Sequence, residues 1–224
     1  MRFAIALQKL FLFAVIASLA ACATTAPNYD YSALKQSNPK SILVLPPVNA
    51  SPDVKAEAAV YSQISFPLAE SGYYVFPVSL VSEAFQQNGM ANAAEAHTVS
   101  KEKLLEIFGA DAAMYITIKE YGTSYKVIAS DTAVAAEAKL VDLKTGAVIW
   151  TGKARASSAE QQNNNSGGLV GLLVAALVEQ VINSATDRSF SIAAIANNRL
   201  LMAGYNGALL YGPRSPNYRK ETVK

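Results

Sequence analysis

Residues 41–48 read SILVLPPV, and four consecutive large apolar side chains, Ile42 to Leu45, stand there with no polar residue between them. A half-buried strand alternates apolar and polar positions. A short unbroken apolar run closed by prolines instead reads as a strand buried on both faces. Such a strand cannot sit at a solvated surface, so the chain has to place covering elements on either side of it. The following sequence supplies them. Asp53 can cap a helix in which Val54, Ala58, Tyr61, Ile64 and Leu68 recur at helical spacing, with a kink or early end expected at Pro67. Tyr73 to Pro77 reads as a second short strand. Ser79 opens a helix running to Gln87 and closed by Asn88-Gly89, and Ser100 caps Lys101 to Phe108, which stops at Gly109. GMANAAEAHT, 89–98, has no period and reads as a surface connection. Two strand-and-helix units in succession imply parallel strands joined by right-handed crossovers.

The pattern then changes. AAMYITI, 112–118, begins a long β region in which Gly122 is the expected site of a bulge. From Thr132 to Asp142, Val134, Ala136, Ala138 and Leu140 take one face and Glu137 and Lys139 the other. Lys144-Thr145-Gly146 turns the chain into a strand with Val148, Trp150, Gly152 and Ala154 inward and Thr151, Lys153 and Arg155 outward. The second half is thus an antiparallel meander, its apolar face expected beneath the earlier helices. A polar loop, EQQNNNSGG, follows at 160–168. After it, a helical segment from Thr186 or Asp187 carries Phe190, Ala193, Ala194, Leu200 and Leu201, is interrupted by Asn197, and ends at Gly204. The fold class is therefore α/β, in the α+β sense: a mixed sheet with N-terminal strand-helix units, a C-terminal antiparallel meander and packed terminal helices.

The start of the chain has a separate logic. Arg2 and Lys9 precede an apolar stretch, LFLFAVIASL, and small residues then lead to Cys22, the single cysteine. This is a secretory signal pattern, shorter than the about 20 apolar residues of a membrane-spanning helix. Leu19-Ala20-Ala21-Cys22 resembles the bacterial lipobox, in which cleavage precedes the cysteine and lipid is attached to it. One cysteine has no partner for an internal disulfide, so Cys22 reads as an acylation handle, and several chains, palmitate among them, would anchor it firmly. The resemblance implies an outer-membrane destination, because Ala23 stands where inner-membrane lipoproteins carry Asp. The expected organisation is a signal peptide at 1–21, a lipidated tether at 22–40 in which Tyr29 and Tyr31 can dock, one domain at 41–204, and an extended tail at 205–224. Removing residues 1–21 takes two of the 19 basic side chains and none of the 17 acidic ones. The body is formally neutral, which gives no electrostatic footprint for nucleic acid.

Little in the chain points to catalysis. His97 is the single histidine, no second ligand lies at metal-binding spacing, and no hydrolase, P-loop or dinucleotide pattern occurs. No cofactor and no metal are expected. Glu102 and Glu106 share a helix face beside lysines and read as solvated, whereas Glu120 with Asp131 or Glu137 could converge across strands. The strongest candidate surface is the apolar segment Gly168–Ile182. Leu169, Leu173 and Leu177 form one ridge, and Val170, Val174, Val178 and Ile182 a second about 100° further round the helix. Such a segment is either covered by the domain's own core or meets a second copy or partner. Self-association as a homodimer is the preferred reading.

SILVLPPV, GYYVFPVSLV, Gly109-Ala110-Asp111 and AEAKLVDLKTGAVIWTGKA occur in an order that resembles a family of proteobacterial lipoproteins of unknown function, neisserial surface-antigen candidates among them. Over 41–158 the chain is more loosely similar to the periplasmic α/β domain of the curli secretion lipoprotein CsgG and of the N-terminal part of TolB. The resemblance implies a mixed-sheet module that binds other envelope proteins. No pair of long membrane-type hairpins accompanies it, which counts against a pore. The expected function is an outer-membrane, non-catalytic binding or assembly component of an envelope transport or secretion system. Its partners would be the membrane through lipid on Cys22, a second copy, and other envelope lipoproteins or transport proteins. A regulator of peptidoglycan synthesis and, third, a cell-wall hydrolase are the rival readings.

Overall fold

The computed structural model describes residues 29–125, 130–162, 188–204 and 207–220. Strand β1 (Ser41–Val44) lies where the apolar run requires, and Ile42, Leu43, Val44 and Leu45 are completely buried. Full burial of one such side chain contributes roughly 1.5–3 kcal/mol. The run together therefore matches the about 5–15 kcal/mol by which a whole domain is stable, and both faces must be covered. They are. Ile42 and Val44 enter one core cluster, Leu43 and Leu45 another on the opposite side of the sheet.

Strand β1 pairs in parallel with β3 (Tyr74–Val75) and with β4 (Ala112–Tyr125). The short β2 (Val48–Asn49) continues beyond Pro46-Pro47 and also pairs in parallel with β4. From β4 the chain turns back into β5 (Ser130–Asp142) and then β6 (Val148–Ser157), both antiparallel. The sheet order is β3-β1-β4-β5-β6, the mixed architecture expected. The start of β1 is fastened to β4 by Asp111, whose carboxylate accepts from the Lys40 and Ser41 N–H groups at 2.9 and 3.2 Å, while its own N–H donates to Ser41 Oγ at 2.9 Å.

Three helices cover the second face: α4 (Val78–Gln87), α5 (Ala93–Ala96) and α6 (Lys101–Phe108). Their Val81, Phe85, Ala96 and Leu104 meet Leu43, Leu45 and Ala113. Ser100 caps α6 by accepting from the Lys103 N–H, and Gly109 ends it at φ +63°, a conformation costly for any side chain with a Cβ. The period-free stretch at 89–98 folds a short helix, α5, because Asn92 accepts from the Glu95 N–H. Helix α4 begins at Val78, one residue before the expected Ser79, with no side-chain cap.

The first face carries α1 (Ser32–Ser37), α2 (Ala56–Tyr61), α3 (Ser65–Glu70) and α8 (Arg188–Leu201), and the short α7 (Ser158–Gln162) follows β6 directly. Over 53–68 the inward face and the break differ from the expected helix. Val54 is 90% exposed, Ala56, Ala59 and Val60 face the core, and the chain breaks at 62–64 rather than at Pro67. Pro67 falls in the first turn of α3, where its missing N–H has no intrahelical partner to lose. The meander is covered chiefly by the late helix α8, through Ile192, Ala193, Ala196 and Leu200, and not by the early helices alone.

Three further expectations are corrected. The segment 29–40 is not a free tether: Tyr31 is buried with its hydroxyl donating to the Ala208 carbonyl at 2.8 Å, and Leu34 of α1 is buried. The tail is not extended over 207–220: Leu209 is buried, the Gly212 N–H donates to Ser71 O at 2.7 Å, and Tyr218 Oη donates to Asn38 Oδ1 at 2.6 Å. Gly72 permits this approach, since at φ +92° an added Cβ would stand 2.4 Å from Ser215 N. The bulge of β4 lies between Ile118 and Glu120, while Gly122 stays in register opposite Ala133. A second shift between Leu140 and Val141 puts both Ile149 and Trp150 in the core and leaves Val148 half exposed.

Asn197, expected to interrupt α8, instead bolts it down. It is buried, and its Nδ2 donates to the Val60 carbonyl at the end of α2, 3.0 Å away. Asn197→Ala removes that bond and leaves a void beside α2. The expected loss is about 1–3 kcal/mol in urea unfolding, with the denaturant slope unchanged.

Candidate binding cleft at the β6 edge

Helices α4 to α6 are too few to cover the whole second face. Past Ala113 the residues on that side turn polar: Tyr115, Thr117 and Lys119 on β4, Glu137 and Lys139 on β5, Thr151, Lys153 and Arg155 on β6. The bulge adds Glu120 to the same face. Lys119 Nζ lies 3.2 Å from Glu137, and the Arg155 guanidinium grips Glu120 with Nε and Nη2 at 2.8 and 3.2 Å. Arg155 also lies 3.7 Å from Asp131. The Ser157 hydroxyl, 2.7 Å away, is the main cause holding the Asp131 carboxyl below its ordinary range. Exposed pairs of this kind each contribute roughly 0.2–1 kcal/mol, so their effect is to set the sign of the surface locally. Of the carboxylates that could have formed a catalytic pair, Glu120 and Asp131 converge on Arg155 and Glu137 pairs with Lys119. Glu102 and Glu106 pair with Lys101 and Lys103 at 2.8 and 3.1 Å on the solvated face of α6.

A cleft of about 800 Å³ opens along β6. Tyr115 and Lys139 line it from the polar face, Gly152 and Lys153 from the strand itself, and Leu200 and Ala208 from the other side. In an antiparallel ladder the N–H and C=O of one residue point the same way, and successive residues alternate. The Thr151 N–H points out of the sheet, donating to Tyr29 Oη at 2.8 Å, and the Arg155 carbonyl points out, accepting from Arg199 Nη1 at 2.8 Å. Residues 151, 153 and 155 therefore aim their main-chain groups away from β5. Lys153 sits between the two side-chain plugs, and among the described residues nothing hydrogen-bonds its main chain.

Beneath this edge lies Trp150, the single tryptophan, 1% exposed, with its indole N–H donating to the Gly207 carbonyl at 3.1 Å. A Cβ on residue 152 would stand 2.3 Å from the indole ring, so only glycine lets the ring fold under the strand. His97 borders the cleft from α5. Its Nε2 lies 2.9 Å from the Pro46 carbonyl, its ring meets Tyr115 edge-on at 5.2 Å, and Lys139 Nζ stands 4.9 Å over the Tyr115 ring. Burial holds the imidazole below its ordinary pKa, and the Lys139 charge adds to this against the opposing Pro46 bond. His97 is thus neutral near pH 7 and donates from Nε2. It is a half-buried tie between the end of α5 and the β1–β2 connection.

Of the sequence-derived site residues, Cys22 and the ridge residues Leu169, Val170, Leu173, Val174, Leu177, Val178 and Ile182 lie outside the described residues. The cleft residues were not singled out in advance. Gly152 in an otherwise regular strand was the one available signal, since an isolated strand glycine marks a close approach. Among the described residues no three His, Cys, Asp or Glu side chains converge as a metal site requires, and no helix is long and apolar enough to cross a membrane.

Two measurements test this geometry. Gly152→Ala overpacks the Trp150 site, and the expected outcome is a loss on the order of 1–3 kcal/mol in urea unfolding with a red shift of tryptophan emission. The lowered pKa of His97 means that its contribution to stability is complete above pH 6.5 and is lost as the pH falls through the folded-state value. His97→Gln, which keeps a donor toward Pro46 but takes up no proton, should flatten the decline of unfolding free energy from pH 7.5 to 5.

Comparison with known proteins places these features in a lineage. The family model described as "Putative lipoprotein GNA1162-like" matches residues 29–214. A curated relative, "Putative lipoprotein NMB1124/NMB1162" of Neisseria meningitidis serogroup B, is 48% identical over 202 residues, covering 90% of this chain and 93% of that one. The crystal structure of lipoprotein GNA1162 from Neisseria meningitidis is 51% identical with a TM-score of 0.53, over 65% of this chain and all of that one. The PelC dodecamer from Paraburkholderia phytofirmans gives a TM-score of 0.40 at 13% identity, over 79% and 91% of the two chains.

Proposed function

The chain belongs to the GNA1162-like lipoprotein family, and from that premise we propose that it is an outer-membrane lipoprotein, lipidated on Cys22, acting as a non-catalytic binding and assembly component of an envelope transport or secretion system. The observation that carries this reading is the pairing, among the described residues, of a cleft and a strand edge with a polar face whose carboxylates are engaged in ion pairs. His97 supports it, since its Nε2 is committed to a main-chain carbonyl and its ring to Tyr115. A face built this way makes contacts. It offers no poised general base.

The anchor geometry favours a body held at the membrane. Tyr29 is already held on the body by the Thr151 N–H, and the seven residues that separate it from Cys22 can span at most roughly 25 Å. That reach suits a complex assembled on the lipid surface better than a regulator stretching toward a peptidoglycan synthase. The ridges Leu169, Leu173 and Leu177, and Val170, Val174, Val178 and Ile182, are proposed to join two copies.

Crosslinking in intact envelopes followed by pull-down tests the main reading. Transport or secretion lipoproteins are the expected catch. A peptidoglycan synthase would support the regulator instead, and release of soluble wall fragments by the purified chain would support a hydrolase. Mass spectrometry should find acyl chains on Cys22 at the amino end of the mature protein. Light scattering of the full chain in detergent should give a dimer that Leu173→Asp converts to a monomer; a monomeric wild type removes the dimer.

A further inference from the structure

Among the described residues the β6 edge is protected at two points and open between them. Tyr29 Oη takes the Thr151 N–H and Arg199 takes the Arg155 carbonyl. Between these plugs the Thr151 carbonyl, both main-chain groups of Lys153 and the Arg155 N–H point outward, by the alternation of an antiparallel ladder. That is the hydrogen-bonding set a short extended segment needs to add as a strand, and an exposed edge with a cleft alongside is how such addition is accommodated.

The side chains around it specify what the segment carries. Lys153 and Lys139 are exposed on the polar face, and among the described residues neither has a carboxylate within salt-bridge distance. The neighbouring charges are engaged: Glu137 with Lys119, Arg155 with Glu120, Arg199 with Glu160 at 2.7 Å. A residue opposite Lys153 shares its face, so an acidic residue there meets a cation whose cross-strand neighbour on β5, Glu137, is already paired with Lys119. The residues on either side of it turn to the other face, toward Gly152, Leu200 and Ala208, where small apolar side chains fit. A second copy of β6 fits poorly. The two plugs confine pairing to a register centred on Lys153, and a two-fold partner would set Lys153 against Lys153, a destabilising like-charge pair.

We infer that the β6 edge between Tyr29 and Arg199 takes up, as an added strand, an extended segment of a partner protein in which acidic and small apolar residues alternate. The segment's acidic side chains lie beside Lys153 and Lys139, and its main chain pairs with Lys153. This rests on the reading of the chain as a contact-making component and names the site and the chemistry of the contact.

The probe is a fluorescein-labelled peptide of the sequence Thr-Glu-Val-Glu-Val-Glu-Thr, titrated against the full chain in detergent and followed by anisotropy. Saturable binding is expected, about tenfold or more weaker for Lys153→Glu and for a peptide with proline replacing the central glutamate, and lost for a Lys/Val version. Lys153 and Arg155 amide exchange should slow in the complex, a main-chain signature that charge attraction alone would not produce. No binding, equal binding by Lys153→Glu or by the proline peptide, or unaltered amide exchange overturns the inference. So does protection of the Lys153 amide in the free chain: if independent of concentration it assigns the edge to the chain's own residues, and if rising with concentration, to a second copy. Lys153→Glu that still retrieves the same partners in the envelope pull-down sinks this site and leaves the proposed function standing.

Discussion

Burial of β1 on both faces is the constraint from which the rest of the molecule follows. Ile42 to Leu45 cannot be exposed on either side without losing burial energy on the scale of the whole fold. Helices must therefore flank the sheet. Yet β1 has four residues while β4 has 14 and β5 has 13. Helices α4 to α6 cover the second face only beside β1 and the start of β4. Beyond that point the long hairpin runs on with one face buried under α8 and the other in water. The polar face exists because the central strand is short, and Pro46-Pro47 make it short.

Two ends of the chain complete the body. Residues 29–40 and 207–220 lie against each other and against the sheet, joined by Tyr31 to Ala208 and Tyr218 to Asn38. Tyr73 Oη donates to the Leu210 carbonyl at 2.7 Å, and Trp150 donates to Gly207. These straps connect residues far apart in sequence, so they form only when the fold is closed. They also bring residues 29–40 to the β6 edge, where Tyr29 fills one of the outward main-chain positions.

Net charge conceals the local electrostatics. The body is formally neutral, and most charges on the polar face are cancelled within a few ångströms by a partner on the neighbouring strand. Among the described residues Lys139 and Lys153 form no ion pair, and Glu137, opposite Lys153 in the ladder, is taken by Lys119. Because exposed ion pairs contribute little to stability, their arrangement is free to serve recognition. The pair of lysines beside the cleft gives the edge its preference for acid.

Local features were legible in the sequence because neighbours along the chain create them. The Ser100 cap, the Gly109 stop, the alternation of Val134 to Leu140 and the turn at 143–146, where Asp142 accepts from the Lys144 and Thr145 N–H groups at 2.9 and 2.8 Å, need only a few adjacent residues. Tertiary structure decided what depends on distant partners. The ladder shifts near Ile118 and Leu140 turned side chains over, α8 made Asn197 a bolt, and the strap at 207–208 seated Trp150 under Gly152. No period in the sequence encodes which main-chain groups of β6 remain open, because that is fixed by Tyr29 and Arg199, side chains brought to the edge from opposite ends of the chain.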